Sequence, residues 1–381
     1  MKCKLSDVCV FRKGKVRVSS LTVKTYISTE NMMPNKGGIT EAISLPTMEL
    51  TQEYKKGDIL VSNIRPYFKK IWQAKYDGGC SNDVLVFQGN ANIDKDFLYY
   101  ILADDTFFAY SMATSKGTKM PRGDKTSIMQ YEVPAFDMNT QKRIATVLKS
   151  LDEKIELNQA INDNLLEQSL TLYSTQFSTI ERNGCIGDYC SIKSGFAFKS
   201  SWWTHSGVKV IKIGSINQDN LNLLECSYVD NDKIEKAKDF KVGAGDLLIA
   251  MTGATIGKFA MVPYSSEILL VNQRVGKFFL GDNPVKKLPF IYCTLKQPEV
   301  YSEVVNRGQG SAQPNISASD IMSIPCVIPS QGTINSFNDT TQPLFNLIIS
   351  NQRENQQLSK LRDTLLSKLM SGELDVSAIE L

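Results

Sequence analysis

The chain has 381 residues, which is more than one hydrophobic core usually organises, so two or more domains are expected. Hydrophobic residues make up 42% of the sequence and charged residues 22%, as in ordinary globular proteins, which argues against a disordered chain. The net charge of +3 is weaker than the basic balance of a small nucleic-acid-binding domain, so charge alone does not predict DNA binding.

The composition also limits the chemistry that this chain can perform. It contains one histidine, His205, which removes most acid–base and metal chemistry, and its eight cysteines form no C-x-x-C pair for zinc. The segment GATIGKF at 253–259 lacks the spacing of a phosphate loop. No apolar stretch approaches the roughly 18 residues of a membrane helix. We therefore predict no catalytic residue, no bound metal, reduced thiols and a cytoplasmic location.

In chain order, the first ~135 residues predict a mixed domain rich in β-strands. GDILVSNIR (57–65) and DVLVFQG (83–89) are typical of buried strands, and the aromatic spacing of residues 96–112 favours a helix. Residues 139–183 then contain neither glycine nor proline and keep apolar residues at helical spacing. A helix of that length reaches roughly 60 Å at about 1.5 Å per residue, which is typical of a coiled coil or spacer.

The same order of segments returns in the second half of the chain. Pro121 corresponds to Pro314, Asn158 to Asn351 and Leu165 to Leu358, and each pair is 193 residues apart. A repeat of nearly half the chain is too long for a solenoid, whose periods run from about 20 to 50 residues. The sequence therefore predicts a tandem duplication of one unit, a β-rich domain followed by a long helix.

The two long helices are predicted to pair with each other in antiparallel orientation. Aligned by the repeat, both seams are apolar at their ends and carry asparagines in the middle; these are Asn158, Asn162, Asn351 and Asn355. Asparagine on a helical seam costs stability and fixes register. The alternative is that these side chains face solvent. Pro343 leaves two further alternatives, a fresh helix capped by Thr341 or a helix that starts near Gly332 and bends at the proline.

Candidate DNA-contacting residues occupy repeat-equivalent segments of the two β-rich domains, which carry more basic than acidic residues. Arg, Asn and Gln suit base reading, and Lys suits phosphates. The candidates in the first domain are Asn63, Arg65, Tyr67, Lys69, Lys70, Lys116, Lys119 and Arg122. Those in the second domain are Thr252, Thr255, Lys258, Asn272, Gln273, Arg274, Arg307, Gln309, Gln313 and Asn315. Each one taken alone could equally be an ordinary surface residue.

Over nearly its whole length the chain resembles the specificity subunits of Type I restriction–modification systems. The matching segments are YISTENMMPNKGGI (26–39), QKRIATVLKSLDEKIELNQAINDNL (141–165), SGFAFKS (194–200), GDLLIAMTGATIGKFAMV (245–262), NQRVGKF (272–278), GSAQPNIS (310–317) and LRDTLLSKLMSGELDV (361–376). The resemblance implies an α+β fold: two β-rich target-recognition domains separated by an antiparallel pair of long conserved helices, in a pseudo-twofold tandem repeat. Its implied boundaries are recognition domains at 1–137 and 184–331, with conserved helices at 138–183 and 332–381.

The resemblance also implies what the chain does and which partners it has. A non-catalytic subunit would read one half of a bipartite double-stranded DNA site with each recognition domain, while its helices fix the spacer and dock two methyltransferase subunits. Restriction subunits would complete an adenine-N6 methyltransferase and ATP-dependent endonuclease. S-adenosylmethionine, ATP and Mg belong to those partners, so no cofactor is expected in this chain. A scaffold whose β-rich domains bind protein, and an enzyme, are the alternatives.

Overall fold

The computed structural model describes residues 2–309 and 314–376, and the chain divides into two compact units. Unit 1 comprises Met1–Glu153 and Leu358–Leu381, and unit 2 comprises Lys154–Gln357. Each long helix therefore contributes one segment to each unit.

Unit 1 begins with ten strands and four short helices, followed by the first long helix. In chain order these are β1 Lys2–Lys4, α1 Leu5–Val8, β2 Cys9–Phe11, β3 Lys15–Arg17, β4 Tyr26–Ile27, β5 Leu50–Tyr54, β6 Ile59–Ser62, β7 Ile71–Gln73, β8 Gly78–Cys80, β9 Val84–Gly89, α2 Lys95–Ala103, α3 Asp105–Ala113, α4 Lys125–Ile128, β10 Glu132–Pro134 and α5 Met138–Phe177.

The second half of the chain follows the same plan with more strands. In chain order its elements are β11 Gly184–Cys185, α6 Ile186–Tyr189, β12 Ser191–Ser194, β13 Trp203–Thr204, β14 Val208–Ile211, β15 Ile216–Asn217, β16 Asn220–Leu221, β17 Ser227–Val229, β18 Lys241–Val242, β19 Leu247–Ala250, β20 Phe259–Met261, β21 Leu269–Val271, β22 Val275–Phe279, α7 Leu288–Lys296, α8 Pro298–Gly308, α9 Ala318–Met322, β23 Pro325–Cys326 and α10 Gln331–Ser371.

A four-stranded antiparallel sheet forms the centre of each unit and has the same order in both. The order is β2-β9-β6-β7 in unit 1 and β12-β22-β19-β20 in unit 2. Its central strands are buried on both faces because alternate side chains enter two different cores. Ile59 and Val61 of β6 join the core formed with the helices, whereas Leu60 joins the core under a second sheet. In β19, Leu247 and Leu248 divide in the same way.

A second sheet covers the other face of each central sheet, in the order β3-β5-β8-β4 in unit 1 and β13-β17-β14-β21-β18 in unit 2. Both second sheets contain one parallel pair, β4 with β8 and β14 with β21. Each unit is therefore built of a helical layer, a central sheet and a second sheet. The predicted α+β fold, with a repeated β-rich domain and two long helices, is confirmed.

Each β-rich domain is closed by a short antiparallel pair that joins its first strand to its last. β1 pairs with β10, so that Cys3 lies opposite Val133, and β11 pairs with β23, so that Gly184 lies opposite Cys326. The two ends of each domain therefore lie side by side at the helices.

The long helices depart from their predicted limits in two places. α5 ends at Phe177, six residues before Asn183, because Phe177 is buried in the core of unit 2 and the chain then turns toward β11. The Asn183 side chain instead bonds the backbone of Ile328 in both directions, at 3.0 and 2.8 Å. α10 runs from Gln331 through Pro343, and the hydroxyl of Thr341 is buried and donates to Phe337 O (2.7 Å). The alternative of a cap at Thr341 is therefore wrong.

In unit 1, a buried tyrosine ties the β-rich domain to the long helices. The hydroxyl of Tyr100 donates to the Asp152 carboxylate (2.7 Å), which also accepts a bond from Arg362 (2.6 Å). Burial lowers the pKa of Arg362, but the carboxylates of Asp152 and Asp363 outweigh it, so the net shift is upward. The guanidinium therefore stays charged at every accessible pH.

In unit 2 a tyrosine of the corresponding helix, Tyr292 of α7, donates to Asp219, which also pairs with Lys296. Asp219 lies in the turn between β15 and β16, and its carbonyl accepts a bond from Gln352 of α10 (3.1 Å). Each unit thus uses a tyrosine and a carboxylate at its boundary with the long helices, although the carboxylate comes from a helix in unit 1 and from a turn in unit 2.

Within residues 2–309 and 314–376, no helix combines the length and the apolar character that crossing a membrane requires. The same residues contain no group of three or more His, Cys, Asp or Glu side chains arranged to hold a metal ion.

Candidate nucleic-acid interface

Three loops meet at one end of the central sheet in unit 1. They are the β6–β7 loop (63–70), the turn before β9 (81–83) and the loop from 115 to 124, and together we call them the three-loop end of unit 1. Backbone bonds join them: Asn63 N to Asp83 O (2.8 Å), Gly123 N to Asn63 O (3.2 Å) and Arg65 N to Pro121 O (2.8 Å). Candidates that are up to 59 positions apart in the sequence therefore share one surface.

Unit 2 repeats this junction bond for bond. Met251 N donates to Arg274 O (3.0 Å), Ile316 N to Met251 O (2.9 Å) and Gly253 N to Pro314 O (2.9 Å). The three-loop end of unit 2 is accordingly formed by residues 251–258, the turn 272–274 and the described residues 308–309 and 314–316. The frame is the same in both units, while the side chains that it presents differ.

Two positions in this frame have a left-handed backbone. In unit 2 they are glycines, Gly253 (φ +72°) and Gly257 (φ +81°), which adopt such values without steric cost. In unit 1 the equivalent positions are Arg65 and Lys69, both at φ +50°. A residue with a Cβ is unfavourable there, so unit 1 keeps two long basic side chains where the backbone favours glycine.

The outer candidates of unit 1 form a basic rim. Lys116 is 82% exposed and pairs with Asp124 (2.5 Å), and Arg122 is 52% exposed and pairs with Asp83 (3.2 Å). Hydrogen bonds from Lys116 and from Ser127 lower the pKa of Asp124 to about 2, so this carboxylate stays charged under physiological conditions. Arg65, Tyr67 and Lys119 are also exposed and complete the rim.

Two further candidates of unit 1 make internal contacts. Lys69 pairs with Asp105 (2.8 Å), which also holds Lys36 (3.1 Å). Burial raises the pKa of Asp105, but the two lysines outweigh it and the net shift is downward. Lys70 donates to Thr29 O (2.6 Å), and burial lowers its pKa. Lys70 is therefore placed to hold the loop against residues 28–31.

In unit 2 the residues of the turn 272–274 have different roles. Asn272 is only 6% exposed, and its Oδ1 accepts a bond from Arg274 N (3.3 Å), so it shapes the turn. Gln273 and Arg274 are exposed and able to meet a ligand. Thr255 and Lys258 are half-buried on the neighbouring loop. The structure thus brings these candidates together but exposes them unequally.

Arg307 departs most clearly from the role of a base reader. Its guanidinium bonds Glu303 (3.0 Å), Asp320 O (3.0 Å) and Ser323 (2.7 Å), which fastens α8 to α9. Gln309 and Asn315 are exposed beside it. Gln313 lies outside the described residues.

Each three-loop end also contains a buried oxygen without a hydrogen-bond partner among the described residues. These atoms are Asn63 Oδ1 in unit 1 and Thr252 Oγ1 in unit 2. An unsatisfied buried polar atom costs about 1–3 kcal/mol, so both oxygens are candidates to accept a hydrogen bond from water or from a ligand. Both belong to the candidate set.

A group of aromatic and basic residues in unit 2 was not predicted from the sequence. Trp202 and Trp203 lie beside four lysines that come from three separate segments of the chain. The consecutive tryptophans were a usable signal, but the lysines lie up to 37 positions apart and only folding assembles them.

The four seam asparagines pair across the long helices within unit 2. Asn158 Nδ2 donates to Asn355 Oδ1 (2.9 Å) and to Glu354 (2.7 Å), and Asn351 Nδ2 donates to Asn162 Oδ1 (2.8 Å). Asn158 and Asn351 are almost completely buried. Because low-numbered residues of α5 face high-numbered residues of α10, these segments run antiparallel. The predicted role of the asparagines in fixing register stays a prediction.

Comparison with known proteins shows which family this chain is similar to. A family model described as the Type I restriction modification DNA specificity domain matches residues 1–167 and 181–360. The Type I restriction enzyme MjaIX specificity subunit of Methanocaldococcus jannaschii is 25% identical over 360 residues, covering 86% of this chain and 79% of that protein. The HindI specificity subunit of Haemophilus influenzae is 23% identical over 435 residues, covering 92% and 94%.

Among solved structures, a Type I restriction–modification S subunit from M. genitalium matches with a TM-score of 0.52 at 17% identity, covering 97% of this chain and 96% of that one. That similarity supports the fold. The family model covers both halves of the repeat, and the predicted resemblance is confirmed: the chain belongs to the family of Type I restriction–modification DNA specificity proteins.

Proposed function

We propose that this chain is the DNA-specificity subunit of a Type I restriction–modification complex, and that each unit reads one half of a bipartite double-stranded DNA sequence with its three-loop end. The observation that carries the proposal is the repeated loop junction, with three equivalent backbone bonds in each unit and different side chains on it. A common frame with different side chains is what two readers of two different short sequences need.

The chemistry of the two ends suits this division of labour. The rim of unit 1 offers guanidinium and ammonium groups, which bind phosphates and guanine edges, together with the exposed ring of Tyr67 (48% exposed). The end of unit 2 offers Gln273, Arg274 and Asn315, whose side chains suit bidentate contacts with bases. The two units are therefore expected to recognise different base sequences.

The remaining roles follow from family membership. We propose that two methyltransferase subunits dock on the long helices, that the paired helices set the unread spacer, and that restriction subunits complete the assembly in the cytoplasm. Adenine-N6 methylation and ATP-dependent cleavage are then performed by those partners, which hold S-adenosylmethionine, ATP and Mg. This chain contributes recognition and no catalytic group.

Mapping of methylated adenines in the host genome, with and without this gene, tests the proposal. We expect the gene to be required for methylation at two short sequences separated by a constant number of unspecified base pairs. Half-sites read from one face of the duplex have centres about 34 Å apart. Methylation within a single uninterrupted sequence, or a pattern unchanged by loss of the gene, would contradict it.

A further inference from the structure

Two adjacent tryptophans of unit 2 lie beside four lysines. We call this group the lysine–tryptophan cluster; its members are Trp202, Trp203, Lys199, Lys212, Lys233 and Lys236. The ammonium of Lys212 lies 3.4 Å from the centre of the Trp203 ring. Around Trp202 the corresponding distances are 5.7 Å for Lys199, 5.3 Å for Lys233 and 5.2 Å for Lys236. An ammonium within about 6 Å of an indole gains roughly 0.5–1 kcal/mol at an exposed site, so the rings hold these cations in place.

The positive charge of this cluster is only partly neutralised. Lys233 pairs with Asp232, whereas Lys199, Lys212 and Lys236 have no carboxylate within ion-pair distance in the described part of the chain. The nearby Glu235 is already bonded to Lys238 (2.7 Å). Ammonium groups gathered at short range repel one another. An anion that approaches this surface relieves that repulsion, and several anions at once relieve it most.

Aromatic packing makes the cluster firm. Trp202 stacks on Phe196 with ring centres 6.1 Å apart and planes at 12°. Phe196 also contacts Phe198 (5.0 Å) and Phe240 (5.6 Å). The indoles are half-buried, as are Lys212 and Lys233, whereas Lys199 and Lys236 are exposed. The cations are therefore presented from a rigid base, which lowers the entropic cost of binding a ligand.

The cluster adjoins the turn that presents Gln273 and Arg274. Phe196 N donates to Val271 O (2.8 Å), and Gln273 N donates to Phe196 O (3.0 Å). Asn272 N donates to Ile211 O (3.0 Å), the residue directly before Lys212. Backbone bonds thus join the turn of the base-reading candidates to the segments that carry the cluster. The described residues of unit 1 form no such cluster, because the one tryptophan there, Trp72, is buried in the core.

We propose that the lysine–tryptophan cluster binds backbone phosphates of the DNA duplex beside the half-site read by unit 2. This inference rests on the proposed function and adds a division within it: the turn 272–274 reads bases, and the cluster grips the backbone without reading sequence. A row of phosphates supplies the several closely spaced anions that the lysines require. Its contribution is therefore to affinity and salt dependence, and it is present on one half of the site only.

The test uses the complex of this chain with its methyltransferase subunits and two duplexes, one with the mapped site and one with that site scrambled. The variant is K199Q/K236Q, which removes two exposed charges. The matched control is K286Q/K287Q in the same unit. Those lysines lie next to Val285, which packs on Gly245 before β19, whereas the turn 272–274 lies at the opposite end of that strand. Both variants change the net charge equally.

We expect K199Q/K236Q to weaken binding of both duplexes about tenfold, and by the same factor, because two phosphate contacts are lost. The slope of log affinity against log salt should fall by about two. Its preference for the mapped site should equal that of the wild type. K286Q/K287Q should leave affinity and slope close to wild type. Equal behaviour of the two variants, or a change of sequence preference in K199Q/K236Q, would overturn the inference.

Acylation of lysines in the wild-type complex provides a second readout that does not depend on substitution. Bound DNA should protect Lys199 and Lys236 from an amine-reactive acetyl ester and leave Lys286 and Lys287 reactive. Selective binding of the mapped duplex without this protection refutes the cluster and leaves the proposed function standing. Protection by a methyltransferase subunit in the absence of DNA assigns the cluster to a protein partner and also refutes the inference. If the wild-type complex does not bind the mapped duplex selectively, both the inference about the cluster and the proposed function are refuted.

Discussion

Arg65 and Lys69 occupy backbone conformations that the second repeat fills with glycine. A left-handed conformation costs roughly 1–2 kcal/mol for a residue that carries a Cβ. Strained residues persist where the surrounding structure determines them, and they concentrate at functional sites. At both positions the side chain is long and basic, and both belong to the loop that unit 1 presents at its three-loop end. At Arg65 the strain therefore accompanies an exposed positive charge, whereas at Lys69 it accompanies the ion pair with Asp105.

Replacing Arg65 with glycine should stabilise the protein and weaken its function. We expect R65G to raise the free energy of unfolding by about 0.5–1 kcal/mol, since relief of the left-handed strain exceeds the greater entropy of glycine in the unfolded chain. We expect the same variant to bind the mapped duplex several-fold more weakly. Chemical denaturation and DNA titration of the same preparation measure both effects.

The reciprocal control is G253A, which adds a Cβ at the equivalent position of unit 2. A Cβ at Gly253 would meet only the Ile213 side chain, at 3.8 Å, so the substitution adds strain without a steric clash. G253A should destabilise by about 1 kcal/mol. If R65G also destabilises, the side-chain contacts of Arg65 outweigh its backbone strain, and strain relief does not govern stability at this position.

The sequence indicated which segments bear the candidates but not how each side chain is used. Arg307 has the side chain of a base reader, yet its partners Asp320 and Ser323 follow 13 and 16 positions later and come within reach only after folding. The side chain of Asn272 likewise accepts a hydrogen bond within its own turn, from Arg274 N. Residue type is visible in a sequence, whereas competition from internal hydrogen bonds is a tertiary property.

Among the secondary elements, the segment 96–112 illustrates how local signals can be misread. Its aromatic spacing predicted one helix, but the structure contains α2 and α3. Asp104 separates them because its backbone is extended (ψ 140°) and its carboxylate caps α3 by accepting from Thr106 N. The capping preference of aspartate was available from the sequence. It was outweighed by an apolar periodicity that continues across the break.

The asparagine pairs of the helices allow a stability prediction. N158A should destabilise the protein by about 1–3 kcal/mol, because Asn355 Oδ1 and Glu354 lose their buried donor. The double variant N158L/N355L removes donor and acceptor together, so it should recover most of that loss. Thermal unfolding of the chain in its complex measures both. A double variant less stable than N158A would show that the asparagines contribute more than their mutual bond.

The proposed spacer role predicts an effect of helix length on DNA. Deleting residues 154–160 of α5 together with 353–359 of α10 removes segments that bond each other, including Asn158 with Asn355, and leaves the Asn162–Asn351 pair. Seven helical residues span about 10 Å, or roughly three base pairs. We expect the unread spacer to shorten by about that amount while both half-sites stay the same. An unchanged spacer in an active deletion complex would count against the helices as its determinant.

For the whole molecule, the duplication was the property most accessible from sequence. A constant offset of 193 residues between equivalent positions predicted two copies of one unit, and the central sheets have the same strand order. The second sheets differ, with four strands in unit 1 and five in unit 2. Residues 203–242 supply β13, β14, β17 and β18 of that five-stranded sheet and the separate β15–β16 pair. These strands are short, and neither periodicity nor the repeat provides a signal for them. The segments that carried the family resemblance lie outside residues 203–242, so the resemblance left this part open.

The two units should act independently in recognition. Substitutions at sites that share no contacts make additive changes to the binding free energy, so each affects only its own contacts. Q273A in unit 2 should therefore relax base preference within one half-site by about 1–3 kcal/mol, and R122A in unit 1 should affect only the other half. Binding to a library of duplexes randomised in one half at a time distinguishes them. A single substitution that alters preference in both halves would contradict separate reading.

The closing strand pairs, β1 with β10 and β11 with β23, have an evolutionary consequence. Because each domain enters and leaves through neighbouring strands, everything between them can be exchanged while the helices keep their attachment points. Recombination between two such genes, within the segments that encode those strands, would transplant a complete reader in one event. A host lineage could thus acquire a new target sequence without passing through intermediates that recognise nothing.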